Sequence, residues 1–225
     1  MMRLAPEGLR EWGSATVLST VVLVLLWVFS PVVWLNWLIT AVVGACWLFV
    51  MQFFRDPDRR APAGTEPGDF ISPADGTVSA IETVESHEAI EGPAVIIRIF
   101  LNVFNVHVNR VPCNVTVIDA IYREGKFFDA RRPESALVNE SNLVRMHRSD
   151  GVAIGVRQVS GAIARRIICP LHGGETLARG ARMGMIKFGS TTELILPASE
   201  EVHVRVAIGD QVRGGRTVLA TIKIR

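Results

Sequence analysis

The chain has 225 residues, 24 of them basic and 22 acidic, for a net charge of +2. This length allows one or two domains with a real core, and the near-balanced charge gives no support to a nucleic-acid partner. Three cysteines, Cys46, Cys113 and Cys169, are too few and too scattered for a disulfide framework or a zinc pattern. They suit a reducing cytosolic setting for the soluble part.

From Trp12 to Phe54 no residue is charged, a run of 43 positions. A bilayer core about 30 Å thick takes about 20 helical residues, so the run suits two spans. Ser30-Pro31 and Asn36 interrupt it near the middle and predict helices over 13–30 and 37–54. All five tryptophans lie here, with Trp12, Trp34 and Trp37 near the predicted ends, where indole rings favour the interface. Arg3 and Arg10 precede the run, and Arg55, Arg59 and Arg60 follow it. Positive residues at both ends put both on the cytoplasmic side of the cell membrane. A buried core hairpin and a shallow, non-spanning insertion are the alternatives.

Residues 1–54 are therefore expected to form a membrane anchor and 55–67 (RDPDRRAPAGTEP) a linker, followed by a β-rich domain over 68–225. Residues 95–103 form a nearly continuous apolar run, and 115–121, 152–159 and 217–224 read as further strands. Residues 201–208 alternate cleanly, with Val202, Val204, Val206 and Ile208 on one face. Residues 127–146 are polar and irregular, and predict a short helix or a long loop. The heptapeptide GETLARG at 174–180 returns 35 residues later as GDQVRGG, and GDFI at 68–71 starts a partial third copy. Such turns are common in barrel-sandwich modules of the biotinyl/lipoyl kind. The expected fold is mainly β, with an N-terminal helical hairpin.

Three residues stand out for chemistry: Asp75 in SPADGTVSAI, His107 in FLNVFNVHVNRVPCN, and Ser190, which follows Gly189 in KFGSTTELILP. Carboxylate, imidazole and hydroxyl are the parts of an activated oxygen nucleophile. Each also has a plain structural reading: a turn for Asp75-Gly76, a core histidine for His107, and a turn entering a strand for Gly189-Ser190. His87, His147, His172 and His203 show no metal-binding spacing, so no metal site is expected. Arg131-Arg132 and Arg165-Arg166 suit either an anionic group or a solvated face.

Taken in order, SPADGTVSAI, FLNVFNVHVNRVPCN, QVSGAIARRIIC and GMIKFGS resemble the short, pyruvoyl-dependent form of the phosphatidylserine decarboxylase family. With the hairpin included, the resemblance covers nearly the whole chain. Longer members carry a second histidine where this chain has Arg110, and Leu-Gly-Ser where it has Phe188-Gly189-Ser190. The resemblance implies a proenzyme that cuts itself between Gly189 and Ser190, with Ser190 as nucleophile, His107 as base and Asp75 orienting the imidazole. It implies a covalent pyruvoyl cofactor made from Ser190 that forms a Schiff base with the amine of phosphatidylserine, yielding phosphatidylethanolamine. The partners implied are the membrane-borne substrate and the chain's own two fragments, with a homo-oligomer left open. A membrane-anchored, non-catalytic adaptor and a membrane-bound serine peptidase are the rival readings.

Overall fold

The computed structural model describes residues 2–132, 134–162, 166–187 and 190–223. The chain divides into two compact units, Met1–Asp58 and Arg59–Arg225.

In the first unit, strand β1 (Met2–Leu4) pairs antiparallel with β2 (Arg55–Pro57), joining the two ends of a helical hairpin. Helix α1 runs Leu9–Phe29 and α2 runs Val33–Phe53. Helix α1 starts four residues before the predicted point and takes in Arg10 and Glu11. Charged side chains are good helix formers, and an acid in the first turn suits the dipole, so absence of charge marked the start too late. Asn36 does not break the hairpin. It lies in the first turn of α2, where its side-chain amide donates to the Ser30 carbonyl at 3.1 Å. Two indoles tie the helices together, Trp27 to Thr40 Oγ1 at 3.1 Å and Trp47 to Thr16 Oγ1 at 2.9 Å. No residue of α1 is buried, and in α2 only Asn36, Met51 and Phe53 are. Both helices are thus long and apolar enough to cross a bilayer, with their apolar sides exposed.

The second unit is built from β3 (Asp69–Ile71), β4 (Gly76–His87), β5 (Gly92–Leu101), β6 (Val108–Arg110), β7 (Val115–Arg123), a short helix α3 (Ser135–Val138), β8 (Ser141–Arg148), β9 (Ala153–Ser160), β10 (Arg166–Ile168), β11 (Thr176–Leu177), β12 (Arg182–Lys187), β13 (Ser190–Pro197), β14 (Val202–Val204), β15 (Gln211–Val212) and β16 (Val218–Ile222). An eight-stranded sheet, in the order β11-β7-β8-β9-β13-β5-β4-β15, curls into a half-barrel. Two three-stranded sheets accompany it, β10-β12-β6 and β14-β16-β3. One core joins all three. Ile97, Ile99, Leu101, Val156, Leu194 and Leu196 come from the large sheet, Met183 from the second, and Phe70, Leu219 and Ile222 from the third.

The repeated heptapeptide has a structural meaning. Its two copies supply β11 and β15, the two-residue strands at opposite edges of the large sheet. The first and last glycines of both copies, Gly174, Gly180, Gly209 and Gly215, all have φ between 75° and 97°. That left-handed backbone is cheap only for glycine, so the turn pattern is fixed by conformation. Very short edge strands also leave little open ladder for another chain to join.

The region 127–146 contains α3, as expected, and also the strand β8, which its polarity hid. Six of the eight residues of β8, Ser141–Val144, Met146 and Arg148, are buried, so the period-two signal of a half-exposed strand is missing. The alternation over 201–208 overstated its strand. Only Val202–Val204 is extended in a ladder; Val206 still packs on the core, and Ile208 is exposed as the chain turns at Gly209. Leu194 sits fully buried at the centre of the core. Leu194→Ala is expected to cost about 2–5 kcal/mol by opening a cavity, read as a lower midpoint in thermal or denaturant unfolding.

Candidate active site

Strand register gathers the sequence-predicted residues at one end of the large sheet. Across neighbouring strands, Arg123 faces Ser141, Ser141 faces Val159, Ser160 faces Ser190, Ser190 faces Leu101, and Phe100 faces Thr77. The last turns of β7, β9 and β5 and the first residues of β8, β13 and β4 therefore share one rim. Ser190 opens β13, Asp75 immediately precedes β4, and His107 lies on the segment leading out of β5 into β6.

Ser190 is fully buried, and its Oγ has no hydrogen-bond partner among the described residues. Its strand is paired on both sides from the first residue, with β9 and β5. Gly189, the expected acyl side of the scissile bond, lies outside the described residues, as does Phe188. The two positions span the step from the end of β12, in a three-stranded sheet, to the start of β13, in the large one.

His107 is fully buried beside the end of β12, where its carbonyl accepts from the Ile186 amide at 3.3 Å. Its Nδ1 lies 3.0 Å from the carbonyl oxygen of Asn105. A carbonyl only accepts, so Nδ1 carries the proton, and in the neutral ring Nε2 keeps its lone pair. A main-chain carbonyl thus holds the ring at Nδ1. The Asp75 carboxylate is met by two other donors among the described residues. One oxygen accepts from the Arg59 guanidinium and the other from the Gly214 amide, at 2.8 and 2.7 Å. Asp75 locks its own loop onto the 214–215 turn, reinforced by the Gly215 amide donating to the Ser72 carbonyl. Arg110 is buried, with its amide on the Pro73 carbonyl and Nη1 on the Gly180 carbonyl at 3.1 Å.

Three groups escaped the sequence reading. Ser160, directly across from Ser190, is also fully buried, with an Oγ that has no partner among the described residues. Behind this pair runs an oriented chain of buried amides: Asn142 donates to Gln158, Gln158 to Asn109, and Asn109 to Thr192 Oγ1, at 3.1, 2.8 and 3.0 Å. On the opposite face, fully buried Glu193 accepts from Arg98 and Arg157, each at 2.7 Å. The three are cross-strand neighbours on β5, β13 and β9. A lone acid inside the run STTELILP was the available signal, since a buried carboxylate needs cationic partners. Burial pushes the Cys113 thiol up to about 12 and also raises Cys169, so neither is a ready thiolate nucleophile.

The described residues thus set a buried hydroxyl at the start of β13, on the rim where β5 leads into the segment that bears the oriented imidazole of His107. Comparison with known proteins is more specific. The sequence model of the phosphatidylserine decarboxylase family matches residues 47–220. The phosphatidylserine decarboxylase proenzyme of Desulfotalea psychrophila is 44% identical over 174 residues, covering 77% of this chain and 79% of the relative. That of Ralstonia nicotianae is 44% identical over 189 residues, covering 84% and 82%. That of Oleidesulfovibrio alaskensis is 38% identical over 220 residues, covering 98% and 94%. The chain belongs to the phosphatidylserine decarboxylase family. Neither the adaptor nor the peptidase reading is favoured by these relatives.

The ion triad yields a direct test. Glu193→Gln removes the buried anion shared by two largely buried arginines, leaving Arg98 only its outer pair with Glu82. It is expected to destabilise the fold by about 3–5 kcal/mol, measured by denaturant unfolding, whereas exposed Glu82→Gln, on the outer side of Arg98, changes stability by less than about 1 kcal/mol.

Proposed function

We propose that the chain is a phosphatidylserine decarboxylase proenzyme that cuts itself between Gly189 and Ser190 and then converts phosphatidylserine to phosphatidylethanolamine. The observation that carries the site assignment is the fully buried hydroxyl of Ser190 at the start of β13, without a partner among the described residues. A buried hydroxyl without a partner costs free energy, and a catalytic use is one reason a protein keeps it.

In self-cleavage, Ser190 Oγ attacks the Gly189 carbonyl carbon while His107 Nε2 takes the hydroxyl proton. The Asn105 carbonyl holds the ring by its Nδ1–H throughout. The tetrahedral centre collapses by breaking the Gly189–Ser190 peptide bond, and the proton goes to the departing serine nitrogen. Glycine suits the acyl position because it has no Cβ to obstruct the approach. The resulting ester is lost by elimination: the Ser190 Cα proton is removed and the Gly189 carboxylate leaves from Cβ. Water then replaces the nitrogen, releasing ammonia, and the residue becomes a pyruvoyl group. The products are a chain over 1–189 and a 36-residue chain over 190–225.

The pyruvoyl carbonyl supplies an electrophile for the substrate amine and a sink for the electrons left when carbon dioxide departs. The surroundings fit it. A ketone only accepts hydrogen bonds, and the spare hydroxyl of Ser160 stands across the ladder as a donor. Pairing of β13 with β9 and β5 holds the group in register. His107 Nε2 returns a proton to the substrate Cα after carbon dioxide is lost. Asp75 acts through the shape of its loop, by fixing Arg59 and the 214–215 turn.

Residues 1–54 act as the membrane anchor of this enzyme, with 55–67 leading into the catalytic domain. The arginines flanking the hairpin support a cytoplasmic side for that domain. A two-chain lipid scarcely leaves the bilayer, since each buried CH₂ is worth about 0.8 kcal/mol, so an anchored enzyme meets its substrate in two dimensions.

A denaturing gel with intact mass measurement on active protein should show two chains, the smaller beginning with a pyruvoyl group in place of serine; a single intact chain with full activity overturns the proposal. Ser190→Ala should remain uncut and inactive. Ser160→Ala should still cut itself but decarboxylate about tenfold more slowly, the worth of one lost donor of about 1.4 kcal/mol. In that variant the rate at which hydroxylamine captures the ketone should also change, which a purely structural role for Ser160 would not produce.

A further inference from the structure

The rim that carries Ser190 also carries a loop whose outward residues have no structural reason to be apolar. Between β7 and β8, the chain closes on itself rather than wandering. Lys126 and Asn139 form a β-bridge, the Lys126 amide donates to the Val138 carbonyl, and the Glu140 amide donates to the Lys126 carbonyl. Asn139 clamps the interior: its Oδ1 accepts from the Phe128 amide, and its Nδ2 donates to the carbonyls of Phe128 and Ser160, the two Nδ2 contacts at 2.8 Å. At Gly125 a Cβ would lie 2.4 Å from the Asn139 carbonyl carbon, so the closure needs glycine there. The loop is therefore a built element, fastened to the residue that faces Ser190.

On its outside stand Phe127, Phe128, Leu137 and Val138, all exposed, with Leu137 at 82%. Among them are Lys126, Arg131 and Arg132, also exposed. Lys126 Nζ stands 5.4 Å from the centre of the Phe128 ring. The carboxylates in the same stretch are Asp129, already paired with Arg131, and Glu134. Arg131 and Arg132 also line a groove of about 510 Å³ with Thr77, Glu82, Arg98 and Phe100, where the Glu82 carboxylate is already paired with Arg98. Apolar tips interleaved with long cationic side chains match a bilayer interface: rings and leucine enter the acyl boundary, while lysine and arginine reach back to phosphates.

We propose that this loop is the bilayer-docking surface of the catalytic unit, its occupant a membrane containing anionic lipid. The inference rests on the proposed lipid substrate, because a site that draws a headgroup from a bilayer needs a rim that touches it. Leu137 and the flanking phenylalanines enter the interface, Lys126 and Arg132 contact phosphate groups, and the groove receives an anionic headgroup. Arg131 joins them at the expense of its contact with Asp129.

The test uses the full chain in nanodiscs of phosphatidylcholine and phosphatidylglycerol, the latter anionic and not a substrate, compared with the same protein in detergent. Hydrogen exchange over 126–138 should slow about tenfold or more in nanodiscs, while the 149–152 turn at the far end of the sheet stays unchanged. Leu137→Asp, at a position too exposed to affect folding, should cut itself normally. It should raise the apparent KM for bilayer phosphatidylserine about five- to tenfold and lose the added protection. Equal exchange in the two settings overturns the proposal, as does protection that appears in detergent and grows with protein concentration, which marks a second copy as the occupant. Failure of the parent protein to decarboxylate any phosphatidylserine instead overturns the functional reading.

Discussion

Strand β13 is held by main-chain ladders on both flanks, by β5 over its whole length and by β9 over most of it. Its first residue is Ser190, the serine proposed as nucleophile, and its core-facing residues Leu194 and Leu196 are fully buried. The backbone there is fixed by pairing on both sides. On the proposed self-cleavage, a hydroxyl that must reach its own peptide bond gains from a strand that cannot drift, because its attack angle is set by the sheet. Everything else at the rim is arranged around that strand. Ser160 faces it, Asn109 bonds to Thr192 on it, and Arg98 and Arg157 grip Glu193 from either side.

The two faces of β13 answer different demands. Toward the core, hydroxyls and amides cluster near the rim and give way to leucines further in, so polarity is confined to the end of the strand that carries Ser190. On the other face, a buried carboxylate between two guanidiniums ties three adjacent strands by charge. Buried ion pairs are weak sources of net stability, but they punish misregister severely, since a slip of one residue turns Glu193 to the opposite face. The triad therefore specifies alignment more than it adds strength.

Much of this was legible in the sequence. The 43-residue uncharged run announced the hairpin, and the spacing of apolar runs announced a sheet-rich domain. The repeated heptapeptide was visible as a pattern, although its role as the two sheet edges depends on pairing between distant strands. Strand β8 was hidden because it is buried on both faces, so Asn142 and Ser141 read as loop residues. The candidate site was legible as residue types in recognisable blocks. Its wiring was not: that Asn105 holds the imidazole, while Asp75 is taken by Arg59 and Gly214, depends on which loops three-dimensional packing brings together. Ser160 carried no local signal, since its importance lies only in being opposite Ser190.

The central placement of β13 also bears on how long one molecule lasts. On the proposed chemistry, the reactive group is grown from the chain and ends up at the tip of a strand gripped between two others. A bound coenzyme can be exchanged when it is spoiled; this one cannot, because removing the 36-residue fragment means pulling a strand out of the middle of the sheet. Each copy of the protein is therefore charged once, and an accident at its ketone retires the whole molecule. Supply of new activity is then tied to synthesis of new chains, not to the availability of any diffusible cofactor.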